Sequence, residues 1–446
     1  MTTRTTPTAA ARQRALVVLP MLAERTTPVS ASRSADLRLQ EARGLAEALD
    51  LDVTDAESFS LRRCDPGLFF GRGRAGALKE RVEADRIDVI IVDAALSPVQ
   101  QRNLERETLA KVIDRTGLIL EIFGRRARTR EGKLQVELAR LGYERSRLVR
   151  TWTHLERQRG GLGKTGGPGE TQIELDRRQI AQRIDKLKLE LEDVRRTRAL
   201  QRRARRRAGY PAVVLVGYTN AGKSSLFNRL TDAGVLAKDM PFATLDPTAR
   251  LVKLPSGRAV MMSDTVGFIT DLPTELVASF RATLEEVMSA DLLVHVRDIS
   301  HPETDAQRDD VLEVLAQIST GADALAPPIV EAWNKIDLLS PDQMAARRAR
   351  APAEAQAVAI SAQTGSGVDE LLAIIDLIAF GAMRLVTLRF DPTDGAGVAE
   401  LGARGKVVDR KLEADGMLAV TVELPAAYAA AYEEREHRAQ NALAAE

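Results

Sequence analysis

The chain has 446 residues, 44% of them hydrophobic and 28% charged, with a formal net charge of only +1. That length is too great for one hydrophobic core and predicts about two to four domains. No apolar run approaches the ~18 residues of a membrane span, and a single cysteine, Cys64, excludes an internal disulfide framework and lacks the Cys or His neighbours of a metal site.

The first dozen residues, MTTRTTPTAAAR, are Thr-rich and polar without the apolar segment of a secretory signal. They predict a disordered tail over 1–13 and a cytoplasmic protein, with peripheral membrane association as a further option. Over 14–126, short apolar runs alternate with helical patterns: ALVVLPML (Ala15 to Leu22), a helix near Ser34 to Ala48, LFF (Leu68 to Phe70), a helix to about Ala84, DVIIVD (Asp88 to Asp93), and LILEIF (Leu118 to Phe123) as the last strand. Such alternation predicts a small N-terminal α/β domain. Within it GRGRAG (Gly71 to Gly76) formally fits G-x-G-x-x-G, with Asp93 available for a ribose. The motif is short, and a tight turn or a phosphate contact through Arg72 and Arg74 is the preferred reading.

Over 127–208 the apolar spacing changes to four and three. Leu134, Leu138, Leu141, Leu148, Trp152 and Leu155 form one heptad seam, interrupted by Arg145, and Ile173, Ile180, Ile184, Leu187, Leu191 and Val194 form a second. Two seamed helices around one loop predict a long antiparallel hairpin, the second arm running roughly 55 Å. That arm is basic: between Glu174 and Arg207 cations outnumber anions roughly two to one, ending in RRARRR. The loop between the arms, RGGLGKTGGPGE (159–170), contains a G-K-T. A phosphate loop ending there would need glycine at position 158, which is Gln158, and a strand ahead of it where the pattern is helical. It is read instead as a glycine-rich tip.

A third domain, 209–381, is again α/β and opens on the strand AVVLVG. The last, 382–446, reads as a small α/β unit: LVTLRF, a helix near Val398 to Ala414, MLAVTVEL, and an Ala/Glu-rich terminal helix.

The third domain carries the chemistry. GYTNAGKS (Gly217, Tyr218, Thr219, Asn220, Ala221, Gly222, Lys223, Ser224) fits G-x-x-x-x-G-K-S between a predicted strand and a predicted helix. Backbone N–H groups of such a loop form an anion nest, Lys223 reaches the β and γ phosphates, and the Ser224 hydroxyl is a magnesium ligand. DTVG (Asp264, Thr265, Val266, Gly267) follows the strand AVMMS; its aspartate would hold magnesium through water and Gly267 would donate its N–H to the γ-phosphate. NKID (Asn334, Lys335, Ile336, Asp337) follows PIVEAW, and a carboxylate there accepts from both N1–H and the 2-amino group of guanine, a donor pair adenine lacks. SAQ (Ser361, Ala362, Gln363) closes the base pocket, with the Ala362 N–H aimed at the guanine oxygen. These motifs in this order predict a P-loop GTPase with GTP as substrate and Mg²⁺ as cofactor. Between the loop and DTVG, FATLDPTAR (Phe242 to Arg250) offers Thr244 and Thr248 to complete the magnesium shell, Thr244 being favoured. The contact set there is Phe242, Ala243, Thr244, Leu245 and Asp246, and the catalytic set is Lys223, Thr244 and Gly267. After DTVG, where many GTPases place a water-orienting glutamine, stands Phe268, which predicts slow intrinsic hydrolysis and a stimulating partner. Asn220 either coordinates K⁺ beside the phosphates or shapes the loop.

Taken together, GYTNAGKSSLFN, FATLDPT, DTVGFITDLPTELVASFRATLEE and GGPGETQIELDRR resemble the HflX family of translation-factor-class GTPases, in domain order and across nearly the whole chain. The resemblance implies that the magnesium-binding threonine is Thr244. It further implies a factor that binds the large ribosomal subunit and its RNA, has its GTPase stimulated by ribosomes, and separates stalled or idle ribosomes under stress. One extra glycine in GKTGGPGE and Ser225 in place of a common threonine are small departures. A monomer is expected. Two other readings are an assembly checkpoint that binds large-subunit precursors without splitting ribosomes, and a signalling GTPase whose hairpin binds a protein.

Overall fold

The computed structural model describes residues 12–22, 34–158, 168–207, 210–231, 241–242, 244, 248–270, 287, 289–319, 327–350, 357–381, 383–392, 394–404, 406–413 and 416–425. The glycine-rich segment 159–167 and the expected terminal helix beyond 425 lie outside these residues.

The N-terminal unit is built as β1 (Arg14–Leu22), α1 (Ala35–Glu47), β2 (Asp52–Leu61), α2 (Arg72–Asp85), β3 (Val89–Val92), α3 (Pro98–Thr108), β4 (Lys111–Asp114) and α4 (Arg115–Arg126). Its sheet has the order β2-β1-β3-β4 with every pair parallel. Both faces of β1 are covered, which is why its sequence is a continuous apolar run. Ala15 and Val17 join the cluster of α1 and α4, and Leu16 and Val18 join that of α2 and α3.

Two sequence expectations are corrected here. LILEIF is not a strand but the middle of α4. Leu118, Ile119, Ile122 and Phe123 are buried at helical spacing, and the Asp114 side chain caps the helix by accepting from Gly117 N–H at 2.8 Å. The last strand is β4. LFF is a turn, in which the Asp65 carboxylate accepts from Gly67 and Leu68 N–H. The strand there is β2, whose burial alternates as expected for a sheet edge.

Helices α5 (Arg130–Gln158) and α6 (Pro168–Arg207) run antiparallel, as the pairs Arg130 with Glu190 and Arg183 with Glu137 require. Leu134, Leu138 and Leu141 pack against Leu187 and Leu191, so this part of the heptad seam is a real interface. The exposed ion pairs add at most about 1 kcal/mol each; the leucines hold the arms together. At its other side α5 grips the N-terminal unit, with the Tyr143 hydroxyl donating to Asp114 Oδ1 at 2.7 Å. The 40 residues of α6 span about 60 Å.

The third unit comprises β5 (Ala212–Val216), α7 (Lys223–Thr231), β6 (Thr248–Lys253), β7 (Ala259–Asp264), β8 (Leu292–Asp298), α8 (Thr304–Ser319), β9 (Ile329–Asn334), a 3-10 turn (Ile336–Leu338), α9 (Pro341–Arg350), β10 (Ala357–Ala359) and α10 (Val368–Phe380). Strand order is β10-β9-β8-β5-β7-β6, parallel except for the antiparallel edge strand β6. The C-terminal unit has β11 (Met383–Phe390), α11 (Gly395–Arg404), β12 (Lys406–Leu412) and β13 (Leu418–Pro425) in an antiparallel sheet ordered β11-β13-β12. The helix expected to reach Ala414 therefore stops at Arg404, and KVVDRKL is an edge strand whose mixed charge hid it. Among the described residues no helix is long and apolar enough to cross a membrane.

The N-terminal sheet faces the third unit with the ends of β3 and β4. Arg115, immediately after β4, is buried between Asp93 Oδ1 at 2.5 Å and Glu41 Oε1 at 2.6 Å, and also donates to Thr270 O at 2.9 Å. Glu41 in turn accepts from the Tyr218 hydroxyl. Phe123 meets Phe242 edge to face, 4.6 Å between ring centroids.

Candidate nucleotide site

The loop Gly217–Ser224 joins the end of β5 to the start of α7, and its glycines are dictated by space. Gly217 has φ +148°, and a Cβ there would lie 2.2 Å from Val296 O; Gly222 has φ +95°, and its Cβ would fall 2.1 Å from Asn334 Nδ2. Any side chain would push the loop off its supporting strands. Asn220 sits at φ +61° and is exposed, so it shapes the turn in the left-handed region that asparagine tolerates.

Lys223 is the first residue of α7 and is buried, its ammonium donating to Gly217 O at 3.0 Å and Tyr218 O at 2.8 Å. Burial pushes its pKa down to about 8, opposed by the nearby Asp264 carboxylate. The segment at Asp264–Phe268 is laced onto the same loop: Phe268 N–H donates to Gly217 O at 3.1 Å, and Thr219 N–H donates to Phe268 O at 2.7 Å. Gly267 lies so close that a Cβ would be 2.9 Å from Thr219 Cα and 3.0 Å from Lys223 Nζ. Phe268 itself is buried with Tyr218, Phe242 and Ile269. It serves packing and presents no polar group to a water.

Three oxygens from three separate segments converge beside Lys223. Ser224 Oγ lies 2.8 Å from Thr244 Oγ1, and each hydroxyl donates to Asp264 Oδ2, at 2.7 and 2.8 Å respectively. Thr248, the other threonine considered, is the first residue of β6 and pairs in register with Asp264 across the ladder. Asp264 Oδ1 is buried and accepts no hydrogen bond. Burial raises the Asp264 pKa, against the lowering effects of Lys223, the two hydroxyls and the Thr265 N–H. Neutral and anionic oxygens with one buried lone carboxylate oxygen are the donors a hard divalent cation takes, so these residues fit Mg²⁺. Thr265 turns away and donates to Leu215 O at 2.6 Å, while Val266 packs against the apolar cluster. Ala243, Leu245 and Asp246 lie outside the described residues.

On the far side of the loop, Asn334 at the end of β9 ties two segments together. Its Nδ2 donates to Ala221 O at 2.8 Å, and its Oδ1 accepts from Ala362 N–H at 2.9 Å. The Ala362 N–H expected to point at guanine is thus engaged by Asn334, and a guanine oxygen would have to share or replace that acceptor. Lys335 adopts φ +66° and pairs with Asp298 Oδ2 at 2.8 Å. Ile336 begins the 3-10 turn, which leaves Asp337 exposed. Ser361 is buried and its hydroxyl accepts from Thr364 N–H at 3.0 Å; Gln363 is exposed. A residue that no motif signalled also enters here: Arg229, in the last turn of α7, donates through Nε to Ala362 O at 2.6 Å and through Nη2 to Gln363 O.

GRGRAG (Gly71 to Gly76) forms the start of α2. Gly71 caps α2, Gly73 and Gly76 lie within it, Asp93 is committed to Arg115, and Arg74 stacks on Phe59 at 4.2 Å. Among the described residues no cluster of three His, Cys, Asp or Glu could hold a metal.

His295, in the middle of β8, is 1% exposed, and burial pushes its pKa down to about 4. Because the folded form stays neutral while the unfolded chain takes up a proton below about 6.5, stability should fall as pH drops from 6.5 towards 4, by up to about 2 kcal/mol between pH 6.5 and 5. Urea unfolding at both pH values should show this loss in the parent and a smaller one in His295→Leu. Equal losses would assign the acid sensitivity elsewhere.

Three family models match the chain: GTP-binding GTPase N-terminal over residues 36–124, GTP-binding GTPase Middle Region over 126–205, and 50S ribosome-binding GTPase over 212–335. The chain is 50% identical over 386 residues to the GTPase HflX of Magnetococcus marinus, covering 86% of this chain and 88% of that one. It belongs to the HflX GTPase family. The HflX of Escherichia coli is 43% identical over 387 residues, covering 87% and 89% of the two chains. A solved GTP-binding protein of Sulfolobus solfataricus in complex with GDP is 25% identical, covering 82% of this chain and 98% of that one at a TM-score of 0.43. As an HflX-family protein the chain is a GTP-binding, GTP-hydrolysing enzyme with an α/β multidomain fold around a P-loop G-domain.

Proposed function

We propose that this HflX-family GTPase binds the large ribosomal subunit through its helical hairpin and, in its GTP state, separates stalled or idle ribosomes into subunits. The observation that carries the reading is the antiparallel pair α5 and α6. The basic arm α6, of 40 residues, follows the glycine-rich segment 159–167 in the chain and runs to Arg207, shortly before the G-domain begins. Arginines and backbone N–H groups hold phosphates without reading sequence, and RNA is recognised largely by shape. The description of the 212–335 model as a 50S ribosome-binding GTPase agrees with that partner. A cytoplasmic site of action follows from it.

In this reading Lys223 exchanges its two carbonyl acceptors for β and γ phosphate oxygens, Gly267 donates its N–H to the γ-phosphate, and Asp337 accepts from guanine. Ser224 and Thr244 would hold Mg²⁺ directly and Asp264 through water; the ion neutralises charge on the phosphates. If K⁺ binds beside the phosphates, Asn220 would be its contact; otherwise the role of Asn220 is to shape the loop. Phe268 leaves the attacking water without a polar partner from this position, so intrinsic hydrolysis is slow and the ribosome supplies what is missing, an effect worth roughly 10³ to 10⁵ in rate.

The test measures GTP turnover with and without isolated large subunits, for the parent and for a deletion of 160–169. Strong stimulation of the parent, weakened by added salt and lost in the deletion, is expected; equal stimulation of both removes the tip from the proposal. Sucrose gradients with a non-hydrolysable GTP analogue separate splitting from an assembly checkpoint, since a checkpoint factor leaves whole-ribosome peaks unchanged.

A further inference from the structure

We infer that Arg229 is a positioning residue for guanine recognition, acting through the backbone of residues 361–363 without touching the nucleotide. The peptides around Ala362 are held from two sides. The Ala362 N–H donates to Asn334 Oδ1 at 2.9 Å, and the Ala362 carbonyl accepts from Arg229 Nε at 2.6 Å. A second guanidinium nitrogen reaches the next carbonyl, that of Gln363, and Nη1 lies 3.0 Å from where a Cβ on Gly365 would stand. A planar fork with several fixed donors suits two successive carbonyls in a way that an ammonium, a single point charge, does not.

The geometry matters because the loop reads guanine with N–H groups whose direction is set by their peptide planes. Fixing the Ala362 and Gln363 carbonyls fixes the two peptide planes that carry the Gln363 and Thr364 N–H groups, while Asn334 holds the preceding plane, which carries the Ala362 N–H. Arg229 sits on α7, the helix whose first two residues are Lys223 and Ser224. One rigid helix therefore carries the phosphate contacts at one end and the clamp on the base loop at the other. Displacement of the base loop relative to the phosphate loop must strain either this clamp or the Asn334 bridge to Ala221. The plain alternative is that Arg229 only stabilises the C-terminal end of α7, as a cation there does.

This inference rests on the reading of Asp337 and 361–363 as the base pocket and is independent of the ribosome. The experiment compares GDP with 6-thio-GDP, which keeps N1–H and the 2-amino group and exchanges only the oxygen acceptor for a poorer sulfur one. Binding is measured by calorimetry on the full chain for the parent, Arg229→Ala, Arg229→Lys and Asp337→Asn. If Arg229 aims the loop, Arg229→Ala weakens GDP about tenfold or more and weakens 6-thio-GDP clearly less, so that the preference for the oxygen contracts. Arg229→Lys falls between parent and alanine, and turnover at saturating GTP changes less than about twofold. Equal weakening of both nucleotides, as a helix-end or folding effect gives, overturns the inference, as does no weakening. Should Asp337→Asn also bind GDP as the parent does, the base-pocket reading fails with it; a weakened Asp337→Asn beside an unaffected Arg229→Ala removes Arg229 alone.

Discussion

Asp264→Asn is expected to lower GTP hydrolysis at least ~100-fold, about 2.7 kcal/mol of transition-state stabilisation, while leaving the nucleotide-free protein as stable as the parent or more stable at neutral pH. The two effects have one origin. Asp264 is fully buried, and burial disfavours its charge; one oxygen accepts from Ser224 and Thr244, and the other accepts nothing. An amide of the same shape keeps an acceptor for the hydroxyls and removes the desolvated charge. It also removes the anion that this set of oxygens offers to Mg²⁺. Thermal unfolding with and without Mg²⁺ and GDP reads the balance: the ligands should raise the midpoint of the parent much more than that of the variant. A variant that is strongly destabilised without ligand, or that hydrolyses GTP within about tenfold of the parent, would show that Asp264 is structural and that the metal reading of this triad is wrong.

The parts legible in the sequence were those where a short stretch of backbone must satisfy a local demand. Gly217 and Gly222 are fixed by space against Val296 and Asn334, and the motif that contains them sits between an apolar strand and a helix. The strand behind AVVLVG is a continuous apolar run because both sheet faces are covered, Val213 and Leu215 on one side and Val214 and Val216 on the other, whereas AVMMS, PIVEAW and AVAI place alternate residues (Val260 and Met262, Val330 and Ala332, Val358 and Ile360) in one cluster. LILEIF misleads for the same reason, since five buried apolar residues in six look alike in a central strand and in a helix packed on a sheet. The Asp114 cap that distinguishes them lies outside the run. β2 and β12 were missed because edge strands mix charge with apolar residues. Arg229 and Arg115 were not legible at all. Arg229 acts on residues more than a hundred positions away, and Arg115 on partners 22, 74 and 155 positions away, and no local spacing records such partners. Arg229 is a polar surface residue in the sequence and a clamp only once the fold brings 362 and 363 to it.

Arg115→Met is expected to destabilise the protein by about 3–5 kcal/mol, because it leaves the buried Asp93 and the part-buried Glu41 carboxylates without their cation. In a chain of this size, unfolding as one unit, that lowers the thermal unfolding midpoint by roughly 3–5 °C. The loss comes mainly from the stranded charges and much less from the value of the ion pairs themselves. Arg115 is far from ideally satisfied, its Nε being buried without an acceptor, and replacing a buried charge cluster whole is often nearly neutral. Adding Asp93→Asn to Arg115→Met should therefore recover a large part of the stability, and the two substitutions should couple by at least ~1 kcal/mol in a double-mutant cycle. Additive losses would mean that the cluster contributes through packing alone. The same arginine donates to Thr270 O, and Glu41 accepts from the Tyr218 hydroxyl, which lies 2.5 Å from Thr270 Oγ1. Loss of Arg115 thus frees both the segment after Phe268 and the second residue of the phosphate loop from the N-terminal sheet. Release of fluorescent GDP should be faster in Arg115→Met than in a variant destabilised to the same extent within the N-terminal core, such as Leu78→Ala. Equal release rates in the two would confine Arg115 to holding the fold.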